Sequence, residues 1–428
     1  MNFDDSHLII ATAIFALTYA LIVWERFNRA VVALSGAVLM ILLGMVTQEA
    51  AIQGVDFNTI GLLVGMMAMV TISRQTGMFE YVAILSAKTM KGDPWGCLVM
   101  LSVVTAVFSA LLDNVTTVML IVPITLLVTE ELKVSPYPFL AVEILASNIG
   151  GAATLIGDPP NIMIGSAAHL TFMDFVINVA PLMPFVFVAT LIPIWFLYGK
   201  KMVADPADQA KIMQFNERDA IRDVVLLRKC LGVLGLVGIG FIFQHPLHLE
   251  AATIALTGAA LLFLISGADF HENIEKIEWT TIFFFIGLFI VVAGIEHAGL
   301  LNIMAEWVLN VTEGNFSATV LMILWVSAVL SALVDNIPFV ATMIPMINQM
   351  EGAFGGKEAL LPLWWALSIG ACLGGNGSLI GASANVIVAG FADRAGHPIG
   401  FIRFLRLGFP LMLMSIVIST GYVYWRFI

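Results

Sequence analysis

Ala106-Val107-Phe108-Ser109-Ala110-Leu111-Leu112-Asp113-Asn114 sets an Asp-Asn pair between two apolar runs. The same pattern returns as Ala328-Val329-Leu330-Ser331-Ala332-Leu333-Val334-Asp335-Asn336. Pro123 in the first copy is answered by Pro345 in the second, so the offset is 222 residues throughout. A carboxylate in hydrocarbon is costly and normally faces a cavity or an ion path. Two of them at equivalent points of two repeats point to a transport site.

Composition sets the environment. The 428 residues are 60% hydrophobic and 11% charged, with a mean hydropathy of +0.98. That balance excludes an ordinary soluble domain and reads as a polytopic membrane protein. The apolar runs have helix-span length and lack the alternation of outer-membrane strands, so the fold class is all-α. Cys97, Cys230 and Cys372 are far apart and form neither a disulfide framework nor a thiolate metal cage. Asp4 and Asp5 precede the first apolar run where a signal peptide would be basic, so that run is expected to stay as a span.

The repeat extends well beyond the two tips. Ala33-Leu34-Ser35-Gly36-Ala37 matches Ala255-Leu256-Thr257-Gly258-Ala259, and Gly65 and Gly77 match Gly287 and Gly299. After the tips the offset becomes 224: Thr154-Leu155-Ile156-Gly157 and Asn161 match Ser378-Leu379-Ile380-Gly381 and Asn385. The expected organisation is a first repeat over 1–198, a charged linker over 199–229 and a second repeat over 230–428. In the first half, spans are expected at 8–24, 30–47, 59–73, a broken one at 138–168, and 176–198. The arms at 95–112 and 115–130 form a helical hairpin. The second half follows with 230–244, 251–266, 280–294, arms at 318–334 and 337–350, a broken span at 362–390, and 408–425. Amphipathic stretches at 78–91 and 297–311 precede the arms.

Five crossing spans plus an even pair of arms make each half odd, so the second repeat is expected inverted relative to the first. With both termini outside and the linker cytoplasmic, all of the 19 Lys and Arg except Lys357 and Arg426 fall inside. That satisfies the positive-inside rule and fits a multi-pass protein of a bacterial inner membrane.

Helix ends inside a membrane leave backbone groups that side chains or a ligand must satisfy. Asn114, Thr116, Asn148, Thr154, Asn161, Asn336, Asn376, Ser378 and Asn385 are of the types that both cap helix ends and hold a polar solute, and they are the candidate substrate contacts. Asp113 and Asp335 are the candidate proton-coupling residues. Gly150, Gly151, Gly157 and Asp158 break the first span, and Gly374, Gly375, Gly377 and Gly381 the second. Asp158, just before Pro159-Pro160, reads as a cap for the following half-helix. Glu143 is a further titratable residue within a span, and Ser147 and Ser383 are weaker polar candidates. Two tips and two breaks are expected to converge on one midplane cavity holding no Lys or Arg. Cys372 beside the second break reads as a packing residue. His245-Pro246-Leu247-His248 has a metal-like spacing but no third ligand, and the histidines are placed in loops.

Asp113-Asn-Val-Thr-Thr-Val-Met119, Ser147 to Asn161 and Gly370 to Asn385 resemble the ArsB/NhaD/P-protein branch of the ion transporter superfamily. The resemblance covers both halves. It implies an elevator-type secondary transporter, with a scaffold and a moving domain built from hairpins and broken spans. Its members include arsenite and antimonite efflux permeases, Na+/H+ antiporters and the melanosomal P protein. On that resemblance, export of neutral As(OH)3 or Sb(OH)3 in exchange for protons ranks first, Na+/H+ antiport second, and an organic or inorganic anion third. Relatives of this architecture lead to a homodimer as the expectation, and a separate ATPase subunit stays open as a partner. No Walker lysine follows any glycine run, and no nucleophile-base pair or metal triad lies at depth. The expectation is therefore not an enzyme, with no cofactor and no nucleic-acid partner.

Overall fold

Asp56, Asp93, Asp113, Asp223 and Asp335 each stand just before a helix and accept a backbone N–H from its first turn. Such caps satisfy donors that a helix start leaves free. The computed structural model describes residues 5–24 and 26–428, and all regular structure among them is helical; Asp4 lies outside the described residues.

The first half runs α1 (Asp5–Trp24), α2 (Arg29–Leu42), α3 (Phe57–Arg74), α4 (Met78–Thr89), α5 (Pro94–Leu111), α6 (Asn114–Glu131), α7 (Tyr137–Ala152), α8 (Pro159–Ala168) and α9 (Met183–Leu197). The second half gives the same series as α10 (Val224–Ile242), α11 (Ala251–Ser266), α12 (Trp279–His297), α13 (Leu300–Val311), α14 (Phe316–Leu333), α15 (Asn336–Asn348), α16 (Leu361–Gly374), α17 (Ser383–Arg394) and α18 (Phe401–Phe427). Ten of the described helical segments are long and apolar enough to cross a membrane. Their outer faces carry bare apolar groups, such as Phe185 at 71% and Trp425 at 79% exposure, that only lipid would cover.

Three boundaries differ most from expectation. Helix α10 begins at Val224, inside the stretch read as linker, and takes in Arg228 and Lys229. Helix α18 begins at Phe401 and contains Arg403 and Arg406. Long basic side chains lay their stems along the helix and keep their heads in polar surroundings, so charge near a helix start does not end it. The apolar run at 176–198 is entered through a separate short helix, Phe172–Asn178, before α9. The histidines are likewise not all in loops: His7 lies in α1 and His297 is the last residue of α12.

The packing repeats with the sequence. A Cβ on Gly65 would lie 2.7 Å from the Ala255 carbonyl carbon, and one on Gly287 would lie 2.6 Å from that of Ala33. Helix α3 therefore touches α11 backbone to backbone where α12 touches α2, and each residue stands 222 places from its counterpart. Reciprocal exchange of this kind is the signature of a two-fold relation. Gly77 and Gly299 have φ of +77° and +86° at the starts of α4 and α13, a region open to glycine. Inside this frame α5 packs on α7 and α14 on α16, while α6 lies against α17 and α15 against α8.

Charged residues fix the linker. Lys88 of α4 donates to the Phe215 carbonyl at 2.8 Å and to Glu217 at 2.5 Å. Asp208 takes Lys211 at 2.7 Å and Lys133 at 3.0 Å. The lysines hold the carboxyls of Asp208 and Glu217 below the usual range.

Candidate functional site

The two tips are built alike. Helix α5 stops at Leu111 and α6 starts at Asn114, so Asp113 is the cap of α6 and not the end of the preceding helix. Its carboxylate accepts the Thr116 N–H at 2.7 Å and the Thr116 hydroxyl at 2.5 Å. Asp335 takes the Ile337 N–H at 3.0 Å. The next amide then crosses to the broken helix: Asn114 N–H reaches the Gly157 carbonyl at 3.1 Å, and Asn336 N–H the Gly381 carbonyl at 3.2 Å.

The breaks are closed by matched side chains. Ser109 bonds the Ser147 carbonyl at 2.5 Å, and Ser331 the Ala371 carbonyl at 2.7 Å. Thr154 and Ser378 bond the Ala110 and Ala332 carbonyls, each at 2.5 Å. Asn161 donates to the Thr154 carbonyl at 3.0 Å, and Asn385 to that of Ser378 at 2.8 Å. These bonds pair carbonyls that a broken helix leaves free at membrane depth. Glycine makes the approach feasible. A Cβ on Gly150 or Gly374 would strike the carbonyl of Ala106 or Ala328, and one on Gly157 or Gly381 would strike that of Ser109 or Ser331.

The halves differ where their polar side chains meet. Asn114 donates to Asn148 at 3.3 Å, and Asn148 donates to both Asn376 and Asn385 at 3.0 Å. Asn336 donates to Asp158 at 3.2 Å. Asn161 accepts from Ser368 at 2.7 Å and lies 3.4 Å from the Cys372 sulfur. Asn114, Asn148, Asn376 and Asn385 thus form one chain across the two halves, and all four are buried. Thr116, Thr154 and Ser378 stay outside it, bonded to a tip or to backbone. Among the described residues, the side-chain amide oxygen of Asn114 is buried with no hydrogen-bond partner.

Two expectations are corrected. Asp158 stands at the cap position of α8 but makes no capping bond, because its carboxylate is turned to Asn336. The junction is also not free of basic residues. Arg29, at the start of α2, contacts Asp335 at 3.4 Å, donates to Thr281 at 3.2 Å and bonds Ser383, which itself bonds Asp335 at 2.8 Å. In the sequence Arg29 reads only as a topology marker, since nothing local ties it to a residue more than 300 positions away. Cys372, read as packing, does fill a small buried site but also touches Asn161.

The convergence expected of tips and breaks is direct contact; the open space lies beside it. A cavity of about 310 Å³ reaches Asp335, Ser383, Arg29 and Glu278. A second, of about 280 Å³, has Gln244, His245, Leu249 and Ala251 where the first has Ile22, Val23, Phe27 and Arg29. Each pair is 222 residues apart. The two cavities therefore flank the polar junction at equivalent places of the two halves, and only the first holds a cation against a tip. His245 and His248, with ring centroids 6.4 Å apart, line the second beside His169 and Glu250.

Known proteins share this architecture. An uncharacterized transporter of Mycobacterium tuberculosis is 44% identical over 424 residues, covering 98% of both chains. A 46 kDa membrane protein of Mycobacterium leprae is 42% identical over 98% of this chain and 99% of its own. Human P protein is 34% identical over 98% of this chain and 60% of its own length. The YdaH transporter of Alcanivorax borkumensis has the same fold at 17% identity, with a TM-score of 0.53 over 85% of this chain and 84% of that one. The family model described as citrate transporter, CitMHS, matches residues 19–370. With two matched tips, two matched breaks and a helical frame that spans a membrane, the chain belongs to the CitMHS citrate transporter family, within the ion transporter superfamily.

Proposed function

We propose that the protein is a proton-coupled secondary transporter that exports a small uncharged polyhydroxy solute, As(OH)3 or Sb(OH)3. The observation that carries this is the buried asparagine chain Asn114–Asn148–Asn376/Asn385 beside two acidic tips. Amides donate and accept, as a neutral hydroxide requires, and they hold no net charge against which an ion must be desolvated. Asp335, paired with Arg29 and open to a cavity, is the group through which protons enter the cycle. Asp113 is its equivalent on the other tip. The matched halves support two inverted repeats joined by a cytoplasmic linker, with both termini on the opposite face. The hairpins and broken helices would move as a unit against α2, α3, α11 and α12, in elevator fashion.

Arg29 and the family model's citrate transporter description favour a second reading, a carboxylate substrate. Arg29 is already neutralised by Asp335, so an anion would bind only after Asp335 takes up a proton. Na+/H+ exchange is the third arm, resting on the two aspartates and the unpartnered Asn114 oxygen.

Equilibrium binding to purified protein tests the choice. Arsenite binding that survives Asp335→Asn, with no citrate binding at any pH, supports the first reading. Citrate binding that strengthens as pH falls and disappears in Arg29→Gln overturns it.

A further inference from the structure

The 222- and 224-residue offsets separate what the fold needs from what it does not. Ser109, Thr154 and Asn161 recur as Ser331, Ser378 and Asn385, with the same bonds. Glu143 of α7 and Thr125 of α6 do not recur: their counterparts are Leu367 and Ile347, both buried and apolar. The same helix pair is thus closed once with a carboxyl-hydroxyl contact and once with hydrocarbon. Packing alone does not call for the acid.

Glu143 is 1% exposed. One carboxyl oxygen meets the Thr125 hydroxyl, and the other has no hydrogen-bond partner among the described residues. Helices α5, α6, α9, α16 and α17 pack around α7. Their titratable and charged groups are Cys97 on α5, Glu130 and Glu131 on α6, Cys372 on α16, and Asp393 and Arg394 on α17. None of these, nor Asp113 at the α6 tip, makes an electrostatic contact with Glu143. An ionised carboxylate in this place would lack a counter-charge and most of its hydrogen bonds, leaving the desolvation of its charge uncompensated. The other acids at the junction are compensated: Asp113 by the Thr116 amide and hydroxyl, Asp335 by Arg29 and Ser383, Asp158 by Asn336. Among the described residues, three of the five partnerless buried side-chain polar atoms, on Asn114, Thr117 and Glu143, belong to α6 and α7. Asn114, Thr117 and Thr125 share one face of α6, within roughly 80° at 100° per residue.

We propose that Glu143 is a proton-binding site of the α6–α7 pair, holding a proton as the neutral acid while the pair is closed to solvent and exchanging it when movement of the whole unit brings solvent to the pair. This rests on the proton-coupled reading above and adds a site for the proton apart from the tips. The bond that forms and breaks is the carboxyl O–H of Glu143, and the proton passes to or from solvent that reaches the pair. No other atom changes hands.

Infrared difference spectroscopy of the full-length protein in lipid reads the acid directly. The wild type should show a protonated-carboxyl stretch at neutral pH that is missing in Glu143→Gln. Thr125→Ile with Glu143→Leu, which copies the pair at 347 and 367, should also lack the band while keeping or raising thermal stability. If that band is unchanged in both variants, the proposal fails, whatever the transport result. In proteoliposomes both variants should lose arsenite-driven proton flux yet keep arsenite counterflow. Proton flux equal to wild type overturns the Glu143 site and leaves the proton-coupled reading intact. Absence of proton flux in the wild type overturns that reading, and the spectra then judge Glu143 alone.

Discussion

Arg29 and Asp335 meet across two elements that sequence alone does not bring together. Their side chains are 26% and 16% exposed, and one contact of 3.4 Å joins them, with Ser383 between. Pairs with this exposure contribute about 1 kcal/mol or less. Asp335→Asn should therefore fold with a near-native melting temperature, while transport loses its dependence on a pH gradient. Full proton-driven transport in both Asp335→Asn and Asp113→Asn would remove the tips from the coupling. The tips, breaks and asparagines were legible because polar residues in long apolar runs stand out. The direction each side chain takes was not. Asp158 occupies a cap position yet serves Asn336, because a neighbour across the junction competes with the backbone nearby.

At the scale of elements, the breaks depend on glycine where backbones meet. A Cβ on Gly157 would sit 2.5 Å from the Ser109 carbonyl oxygen, and one on Gly381 would sit 2.9 Å from that of Ser331. Neither neighbour is a flexible side-chain end. Gly157→Ala and Gly381→Ala should each cost about 1–3 kcal/mol, the range for overpacking, and lower the melting temperature of the protein in detergent. Gly238→Ala in α10 meets nothing within 4 Å and should be neutral or slightly stabilising. Equal melting of all three would mean the close approach does not hold the break. Apolar run length and Pro-Gly punctuation located these helices. Their starts at Val224 and Phe401 escaped, because arginine and lysine look like loop signals even where their stems run along a helix.

Across the whole molecule, the linker and the sidedness of the halves can be tested separately. Asp208 sits between Lys211 and Lys133, and its carboxyl is held below the ordinary range. A depressed carboxyl stabilises above its unfolded pKa and loses that contribution only as pH falls through the lower folded value. Linker cleavage by a protease should thus be flat from neutral pH to about 5 in the wild type, and faster throughout in Asp208→Asn. Because Cys97, Cys230 and Cys372 are buried, a single cysteine at Gln209 or Glu313 in a cysteine-free background gives a clean label. The two should react with an impermeant maleimide from opposite faces of the membrane; labelling from one face would contradict the inverted arrangement. The most direct test of the central claim places the purified chain alone, without ATP, in liposomes with an internal pH dye. Arsenite, antimonite, Na+, Li+ and citrate are then added separately under a pH gradient. Proton movement evoked by arsenite and antimonite, and by none of the others, is the predicted result. Proton movement evoked by Na+, Li+ or citrate but not by either metalloid would contradict it.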